Sequence, residues 1–445
     1  MKSKLILLPV IYLLIISASS CSNHGQLKDS DVIAETNRNF VASDWPDRIM
    51  QCVSENPQSE ISLTWRTSKA ISEGYAEYTK NITSVKSDDK VQVKQAKIVP
   101  VSFENHQDHY FQVRLDGLEP SSSYMVRVGN DQYRSEWFSV LTAPSSFEPF
   151  SFLYFGDVQN DIKEYAPRIF RHASANYPDA RFILHSGDLV LSSGNDDTWG
   201  EWFYAGNWLL QQIPSMVAAG NSDHFRWQNE PVDKRLLFPQ WHGSFLMPAN
   251  GPKGFENLVY HFDYPGIRII SLYSNFESTT DNDREIYIRP ETMLTENMFH
   301  KQILWLEEIL ESNTQPWLAV LMHHPVFTAR QERDNELMQE YFLPLFEKYK
   351  VDIVFQGHDH VYARGINPEM NNSTPVYVIS IAGGKMRKVD KSHQWIYQSI
   401  ENTQLYQTIH ITENMLEFKA IDLGGSTRDK FQIILENNKK SLKGF

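Results

Sequence analysis

The chain has 445 residues, of which 41% are hydrophobic, and its formal net charge is −13. This length corresponds to about two to three domains with sizeable cores. No block of Lys or Arg occurs, which argues against nucleic acid as a main partner, because such binding depends on basic residues that neutralise phosphates. An acidic protein can still act on an anionic substrate when bound metal ions supply local positive charge.

The N-terminus places two lysines before a short apolar run, Leu5 to Ile16, that ends in small residues. The run is shorter than the ~20 residues of a membrane-spanning helix, so it predicts a signal peptide over residues 1–20. Cys21 follows directly, and the segment resembles a bacterial lipoprotein signal in which this cysteine is lipidated. The resemblance implies an exported outer-membrane lipoprotein, periplasmic or on the cell surface, attached to the membrane by its lipid anchor. The alternative is an ordinary signal peptide that contains a cysteine.

Residues 21–43 are polar and lack periodicity, which predicts a lipidated tether. Cys52 is the one other cysteine, so the mature chain has no partner for an intramolecular disulfide and its fold must depend on core packing. We expect Cys52 to be a small buried residue.

Residues 44–143 contain short alternating stretches such as "EISLTWRTS" and "SSYMVRVGN", separated by turn residues. This spacing predicts an all-β sandwich. The stretch "LDGLEPSSSYMVRV" resembles the fibronectin type III domain, in which a leucine and a proline lead into a tyrosine-corner strand. The resemblance assigns those positions to Leu118, Pro120 and Tyr124, and the core tryptophan of that family to Trp65. We expect Trp65 and Tyr124 to be core residues.

Residues 150–425 alternate short apolar runs with segments of helical periodicity, such as "MFHKQILWLEEILES" followed by "PWLAVLMHHP". Apolar runs without alternation are typical of strands that are buried on both faces, so this part predicts an α/β layered domain. The predicted fold class is therefore multidomain, with an N-terminal β-sandwich followed by an α/β domain. Residues 426–445 are predicted to be a C-terminal tail.

Five apolar runs of the second domain end in residues that commonly bind metals. Because ligands of an open α/β sheet bind beyond the carboxyl ends of its strands, these side chains are expected to converge. Any one of them alone is weak evidence, but five in this order predict a metal site. They are Asp157 with Gln159, Asp188, Asn221 with Asp223 and His224, His323 with His324, and His358 with His360.

The order D…GD…GN…H…GHxH resembles the calcineurin-like metallophosphoesterases, and the preceding sandwich makes the chain similar to their purple acid phosphatase branch. The resemblance implies an α/β/β/α sandwich of two mixed sheets that holds two metal ions. It implies that Asp188 bridges the two ions. Asp157 and His360 would complete the first ion's ligands, and Asn221, His323 and His358 those of the second.

This ligand chemistry suits iron, zinc or manganese, and the sequence does not choose among them. Two such ions clamp a phosphoryl group, and the resemblance implies in-line attack on phosphorus by a metal-bound hydroxide. Asp188 and Asn221 are accordingly assigned to catalysis, and Asn221 also to substrate binding.

The chain departs from the purple enzymes at two positions. Leu191 replaces the tyrosine whose bond to iron(III) gives the colour, so no such colour is expected, and Gln159 is a candidate replacement ligand. Ser222 replaces a histidine that contacts the phosphate and assists the leaving group. His224, oriented by Asp223, is a candidate general acid in its place.

Other candidates for substrate binding are Ser222, His324 and Arg364. The favoured interpretation is a phosphomonoesterase that acts on a small phosphate ester. The alternatives are a metal-dependent phosphodiesterase and a surface-binding lipoprotein whose esterase domain is inactive. The sequence leaves the natural substrate and the oligomeric state open.

Overall fold

The structure is a computed structural model, and it describes most of the chain beyond residue 38. The predicted signal peptide, Cys21 and most of the predicted tether therefore lie outside the described residues. Within the described residues, no helix is both long and apolar enough to span a bilayer. The described ranges are 39–80, 91–103, 106–225, 236–275, 286–289, 292–294, 296–331, 333, 335–370 and 374–444.

The N-terminal domain is the predicted β-sandwich. Its strands are β1 (Asp47–Cys52), β2 (Ile61–Ser68), β3 (Tyr75–Lys80), β4 (Gln92–Gln95), β5 (Lys97–Phe103), β6 (His106–Leu115), β7 (Ser123–Gly129) and β8 (Phe138–Leu141). Strands β1, β2, β6 and β5 lie in one sheet, and β4, β3, β7 and β8 form the other.

The core of the sandwich confirms the two aromatic assignments. Trp65 is fully buried and stacks on Phe111 with ring centroids 5.2 Å apart. Tyr124 is buried, and its hydroxyl accepts a hydrogen bond of 2.9 Å from the backbone N–H of Glu119, which is the tyrosine-corner contact. Cys52 is buried as predicted.

The C-terminal domain contains strands and helices in alternation, as predicted. Its first half comprises β9 (Phe150–Phe155), α1 (Ile162–Asn176), β10 (Ile183–His185), α2 (Asp196–Gln212), β11 (Ser215–Val217), a single 3-10 turn (Asn221–Asp223), β12 (His224–Phe225), β13 (Leu236–Leu237), α3 (Pro239–Ser244), β14 (Tyr260–Tyr264) and β15 (Ile267–Ser271). Its second half comprises β16 (Ile286–Arg289), β17 (Thr292–Leu294), α4 (Glu296–Glu311), β18 (Trp317–Leu321), α5 (Glu336–Tyr341), α6 (Leu343–Lys348), β19 (Ile353–Gln356), β20 (Tyr362–Gly365), β21 (Val376–Ile379), β22 (Ile396–Ile400), β23 (Leu405–Ile411), β24 (Met415–Asp422), β25 (Thr427–Glu436) and β26 (Lys439–Lys443).

Two mixed sheets form the centre of this domain, which confirms the predicted fold class. In the first sheet, β9, β10 and β11 are parallel and β23 to β26 extend the sheet in antiparallel fashion. In the second sheet, β15, β18, β19 and β21 are parallel. Aromatic side chains join the two sheets face to face, with Phe355 at 4.8 Å from Tyr154 and 6.1 Å from Phe152 between ring centroids. The parallel strands of both sheets are almost entirely buried, which explains their continuous apolar sequence.

The two domains share one sheet, which the sequence did not indicate. Strand β1 of the sandwich pairs in parallel with β11 at Cys52 and Ser215, and this pairing makes an 11-stranded sheet. The backbone N–H of Val53 donates a further hydrogen bond of 3.1 Å to the carbonyl of Ser215. The sandwich is therefore continuous with the strands that carry the predicted ligands.

A buried ionic cluster fixes the same junction. The carboxylate of Asp196, at the start of α2, accepts hydrogen bonds from Arg48 at 2.8 and 2.9 Å, from Arg66 at 3.1 Å and from Gln240 at 2.7 Å. Arg66 also pairs with Asp108 at 3.2 Å. All five side chains are buried. Buried ions must be paired to be tolerated, so Arg48 depends on the carboxylate of the second domain, whereas Arg66 also pairs with Asp47 at 2.6 Å.

Two boundary predictions need correction. The predicted tail over residues 426–445 is wrong for β25 and β26, which form the outer edge of the large sheet. The alternating stretch "FQIILE" and the turn at Asn437 and Asn438 were missed as a hairpin signal. The last residues of the predicted tether, 39–43, also contact the folded domain, since the backbone N–H of Asn39 donates to Asp197 at 2.8 Å.

Candidate metal centre

The predicted ligands all follow strand ends at one edge of the two facing sheets. Because the strands that precede them are parallel within each sheet, their carboxyl ends lie side by side. The first sheet contributes three segments and the second sheet contributes two. These ligands are Asp157 with Gln159 after β9, Asp188 after β10, Asn221 after β11, His323 after β18, and His358 with His360 after β19.

Asp188 lies between two groups of candidate ligands. Its Oδ1 is 3.4 Å from Nε2 of His323. Its Oδ2 is 2.5 Å from Nε2 of Gln159. One carboxylate oxygen thus faces each group, which is the placement that a bridging ligand requires.

The first group contains the side chains that the resemblance assigned to the second metal ion. Nε2 of His323 lies 3.2 Å from Oδ1 of Asn221 and 3.2 Å from Nδ1 of His358. Nδ1 of His323 donates to the carbonyl of Ser186 at 2.8 Å, so its Nε2 carries the lone pair that a metal needs.

The second group contains His360 and Gln159. Oδ1 of Asp157 lies 3.6 Å from Nδ1 of His323, so this carboxylate is near the first group as well. Nδ1 of His360 donates to the carbonyl of Lys385 at 3.0 Å, and its Nε2 is 3.2 Å from Nε2 of Gln159. A half-turn of the Gln159 amide exchanges Nε2 with Oε1, which is buried and has no hydrogen-bond partner among the described residues. The amide oxygen would then face both Asp188 and His360.

The protonation states of the clustered side chains are suited to binding metal ions. Burial and the charge of Asp188 raise the pKa of Asp157 well above its usual range, and no described side chain donates a hydrogen bond to its carboxylate. Burial lowers the pKa of His323 and of His358, and it lowers the pKa of His360 to about 4. The histidines are therefore neutral donors, and among the described residues neither Asp157 nor Asp188 forms an ion pair with a lysine or an arginine. Two cations would supply the missing charge, so the donor set fits the dinuclear centre of the family.

The backbone at three of these ligands is unusual. Asp188, His358 and His360 have φ values of 50°, 73° and 56°, in the left-handed region that non-glycine residues seldom adopt. The two histidines lie in a turn after β19 and not on the strand itself, so this turn, and not alternation along a strand, brings them to the site. Such strain persists where the surrounding structure fixes it, and it concentrates at functional sites.

Glycines let the ligand-bearing turns approach one another. A Cβ at Gly220 would collide with the carboxylate and the backbone of Asp188, and one at Gly357 would collide with the carboxylate of Asp157. The glycines of the "GN" and "GH" motifs are thus required by close packing inside the site.

Asp223, predicted to orient a general acid, has a structural role in the described contacts. Its buried carboxylate accepts backbone N–H groups of Asp188 at 2.9 Å, Leu189 at 3.0 Å and Gly220 at 2.7 Å. It therefore fixes the turn that carries Asp188, and none of these hydrogen bonds joins it to the ring of His224.

Ser222 and His224 lie on either side of Asp223 in the chain and have different surroundings. Ser222 donates to Asp188 through its backbone N–H at 2.8 Å and its hydroxyl at 3.1 Å. His224 is buried, with Nδ1 2.8 Å from the carbonyl of Gly220 and Nε2 2.7 Å from the hydroxyl of Tyr273. The general-acid role of His224 stays a prediction.

Two further predicted substrate residues have different placements. The ring of His324 lies 4.1 Å from that of His358 between centroids, and its nitrogens fall in a group with those of His323 and His358 that could hold a metal ion. Arg364 is buried and pairs with Asp429 at 2.6 Å, which gives it a structural role in β20. The substrate role of each stays a prediction.

Sequence reasoning missed Lys385, whose carbonyl accepts the hydrogen bond from His360. Its only signal was the "GGK" turn after an apolar run, which is too common to single out. Leu191, at the position of the family's tyrosine, is 47% exposed.

Comparison with known proteins agrees with this architecture. The calcineurin-like phosphoesterase family matches residues 150–362, and the purple acid phosphatase N-terminal domain matches residues 46–142. Purple acid phosphatase 22 of Arabidopsis thaliana is 27% identical over 279 residues, which are 61% of this chain and 57% of that protein. The matched regions span less than two thirds of the first four Arabidopsis relatives.

Solved structures show the same fold. The purple acid phosphatase PPD1 from yellow lupin seeds superposes with a TM-score of 0.67 at 16% identity, over 89% of this chain and 75% of that chain. PhoD superposes with a TM-score of 0.65 at 13% identity, over 91% and 92% of the two chains. The chain therefore combines a calcineurin-like phosphoesterase domain with a purple acid phosphatase N-terminal domain, and it shares the fold of both solved structures.

Proposed function

We propose that the protein is a dinuclear metal-dependent phosphoester hydrolase that acts on phosphomonoesters. The observation that supports this most directly is the position of Asp188, whose two oxygens face separate groups of buried nitrogen and oxygen donors. A buried carboxylate with a purely structural role would not require neutral histidines near both of its oxygens.

The residues divide into two sets around Asp188. Asn221, His323 and His358 would hold one ion, and Asp157, His360 and the amide oxygen of Gln159 would hold the other. Two bound cations would neutralise phosphoryl oxygens and lower the pKa of a water molecule. The metals would be iron, zinc or manganese, which accept mixed nitrogen and oxygen ligands.

The chain's own residues would orient these groups. Ser186 and Lys385, through their carbonyls, hold the protons of His323 and His360 on Nδ1, so that each Nε2 faces the site. Ser222 donates to Asp188 and keeps its carboxylate in one orientation. Asp223 holds the backbone of the same turn. The residues around the bridging position are thus fixed before a substrate enters.

Hydrolysis of p-nitrophenyl phosphate beside bis-p-nitrophenyl phosphate tests this function. The protein is stripped of metal, refilled with manganese, zinc or iron, and assayed with its metal content measured. Asp188→Asn should abolish turnover, because an amide cannot offer two anionic oxygens to two ions. Asp179→Asn, at an exposed position, is the matched control and should keep full activity.

A phosphodiesterase is the second candidate, since Ser222 replaces the family's leaving-group histidine and His324 adds an imidazole beside His358. Preference for the diester in the same assay would favour it. Metal binding without turnover of either ester would contradict the proposed activity and favour a binding protein with an inactive esterase domain.

We also propose that the protein is exported and anchored through lipidated Cys21. The support is the sequence of the first 21 residues alone. Metabolic labelling with a radioactive fatty acid should label the wild type in membrane fractions. Cys21→Ala should lose the label and enter the soluble fraction, and a labelled Cys21→Ala variant would contradict the assignment.

A further inference from the structure

The turn after β21 is bound tightly to the end of β9. The backbone N–H of Ala382 donates to the carbonyl of Gly156 at 2.9 Å, and that of Gly383 donates to the carbonyl of Asp157 at 2.8 Å. A Cβ at Gly383 would lie 2.8 Å from the Asp157 carbonyl oxygen, so a side chain there would force the turn away. The turn therefore lies directly against one candidate ligand.

The same turn is bound on its other side to His360. Nδ1 of His360 donates to the carbonyl of Lys385 at 3.0 Å, and the backbone N–H of Arg387 donates to the carbonyl of His360 at 2.9 Å. The backbone around Lys385 is thus held between Asp157 and His360.

The side chain of Lys385 leaves a turn whose backbone is hydrogen-bonded to Asp157 and to His360. It is half-buried, and it feels the positive charges of Arg387 and Arg333 as well as the negative charges of Asp188 and Asp157. No carboxylate of the described part of the chain lies within the 4.0 Å of an ion pair with it. By contrast, Lys348 and Lys440 each have an ion-pair partner at 2.7 and 2.6 Å. Lys385 therefore presents a positive charge that no carboxylate among the described residues pairs.

Resting on the phosphoesterase function proposed above, we propose that Lys385 binds a phosphoryl oxygen of the substrate and makes the site selective for phosphomonoesters over phosphodiesters. A phosphomonoester carries a charge of about −1.5 to −2 near neutral pH, with its second pKa at about 6. A diester carries a single negative charge. An ammonium group beside the site stabilises the more highly charged ion more strongly.

The test compares Lys385→Met with Lys388→Met, which removes the same charge from an exposed position of the same turn. The measured quantities are metal content, the Kd for inorganic phosphate by calorimetry, and kcat/KM on p-nitrophenyl phosphate and bis-p-nitrophenyl phosphate. Lys385→Met should retain both metals and bind phosphate roughly 10- to 100-fold more weakly, the effect of losing one charge-assisted hydrogen bond. Its kcat/KM should fall by the same order on the monoester and much less on the diester. Lys385→Arg should restore part of both, and Lys388→Met should match the wild type.

Equal losses on the two esters, or an unchanged Kd for phosphate, would overturn the proposal. Loss of metal from Lys385→Met would overturn it as well, because it would assign the residue to holding His360. Failure of the phosphoesterase function has a different signature. A metal-loaded wild type that hydrolyses neither ester would refute that function, and a Kd raised only in Lys385→Met would still support the anion-binding role.

Discussion

His185 precedes the bridging-aspartate turn and lies in an aromatic enclosure. Its ring centroid is 5.8 Å from that of Phe155, 6.2 Å from Phe170 and 5.7 Å from Trp202. The side chain is buried, and neither ring nitrogen has a hydrogen-bond partner among the described residues. Burial lowers the pKa of His185 from 6.5 to about 3. The imidazole is therefore neutral in the folded protein over the whole mildly acidic range.

This depressed pKa makes stability depend on pH with a definite sign. The unfolded chain takes up the proton near pH 6.5 and the folded chain only near pH 3, so the contribution is complete above pH 6.5 and is lost as the pH falls. Between pH 7 and pH 4 the loss amounts to roughly 3 kcal/mol of unfolding free energy, at about 1.4 kcal/mol for each pH unit. His185→Leu removes the titrating group and fills a similar volume.

The measurement is urea unfolding of metal-free protein at pH 7, 5.5 and 4, followed by circular dichroism. We expect His185→Leu to lie within about 1.5 kcal/mol of the wild type at pH 7, as volume-conserving core changes do. Between pH 7 and pH 4, the unfolding free energy of His185→Leu minus that of the wild type should rise by ~3 kcal/mol. His300→Leu, at an exposed histidine, is the matched control. A difference between His185→Leu and wild type that does not change with pH would refute the reasoning.

Three further predictions concern the domain junction and the site. Asp196→Asn should lower the unfolding free energy by about 3–5 kcal/mol, because the buried Arg48 loses its carboxylate partner, while Arg66 keeps its pairs with Asp47 and Asp108. The exposed pair variant Asp116→Asn should cost at most about 1 kcal/mol in the same denaturation experiment. Iron-loaded protein should show no tyrosinate-to-iron band in its visible spectrum, since Leu191 occupies that position, and a purple colour would contradict this. His224→Ala should slow p-nitrophenyl phosphate and an alkyl phosphate alike, because both ring nitrogens have internal partners; a loss confined to the alkyl ester would support the general-acid hypothesis.

The sequence was sufficient to predict which residues meet at the site. Asp157, Asp188, Asn221 and His323 each follow a buried apolar run, and parallel strands bring their carboxyl ends to one edge whatever the loops between them do. The conformation of the histidine pair was less predictable. His358 and His360 both have a left-handed backbone and lie in a turn beyond β19. No local pattern marks a positive φ at histidine, because neighbouring segments impose it.

The sequence also did not reveal which strands far apart in the chain pair with each other. The parallel contact between Cys52 and Ser215 joins residues far apart in the chain, and each strand alone reads as an ordinary short strand. Lys385 was missed for the same reason. Its neighbours Gly383 and Gly384 indicate a turn, and only the folded chain shows that this turn lies between Asp157 and His360.

The shared sheet changes how the sandwich should be understood. A detachable binding module would meet its neighbour through a modest polar surface, but here β1 continues the sheet whose strands end in Asp157, Asp188 and Asn221. The ionic cluster then fastens the same sheet to the start of α2, and that helix follows the loop that leaves Asp188. The left-handed backbone at Asp188 needs rigid surroundings to persist. The sandwich is joined to this sheet and to this helix, so we expect disruption of the junction to loosen the backbone at Asp188.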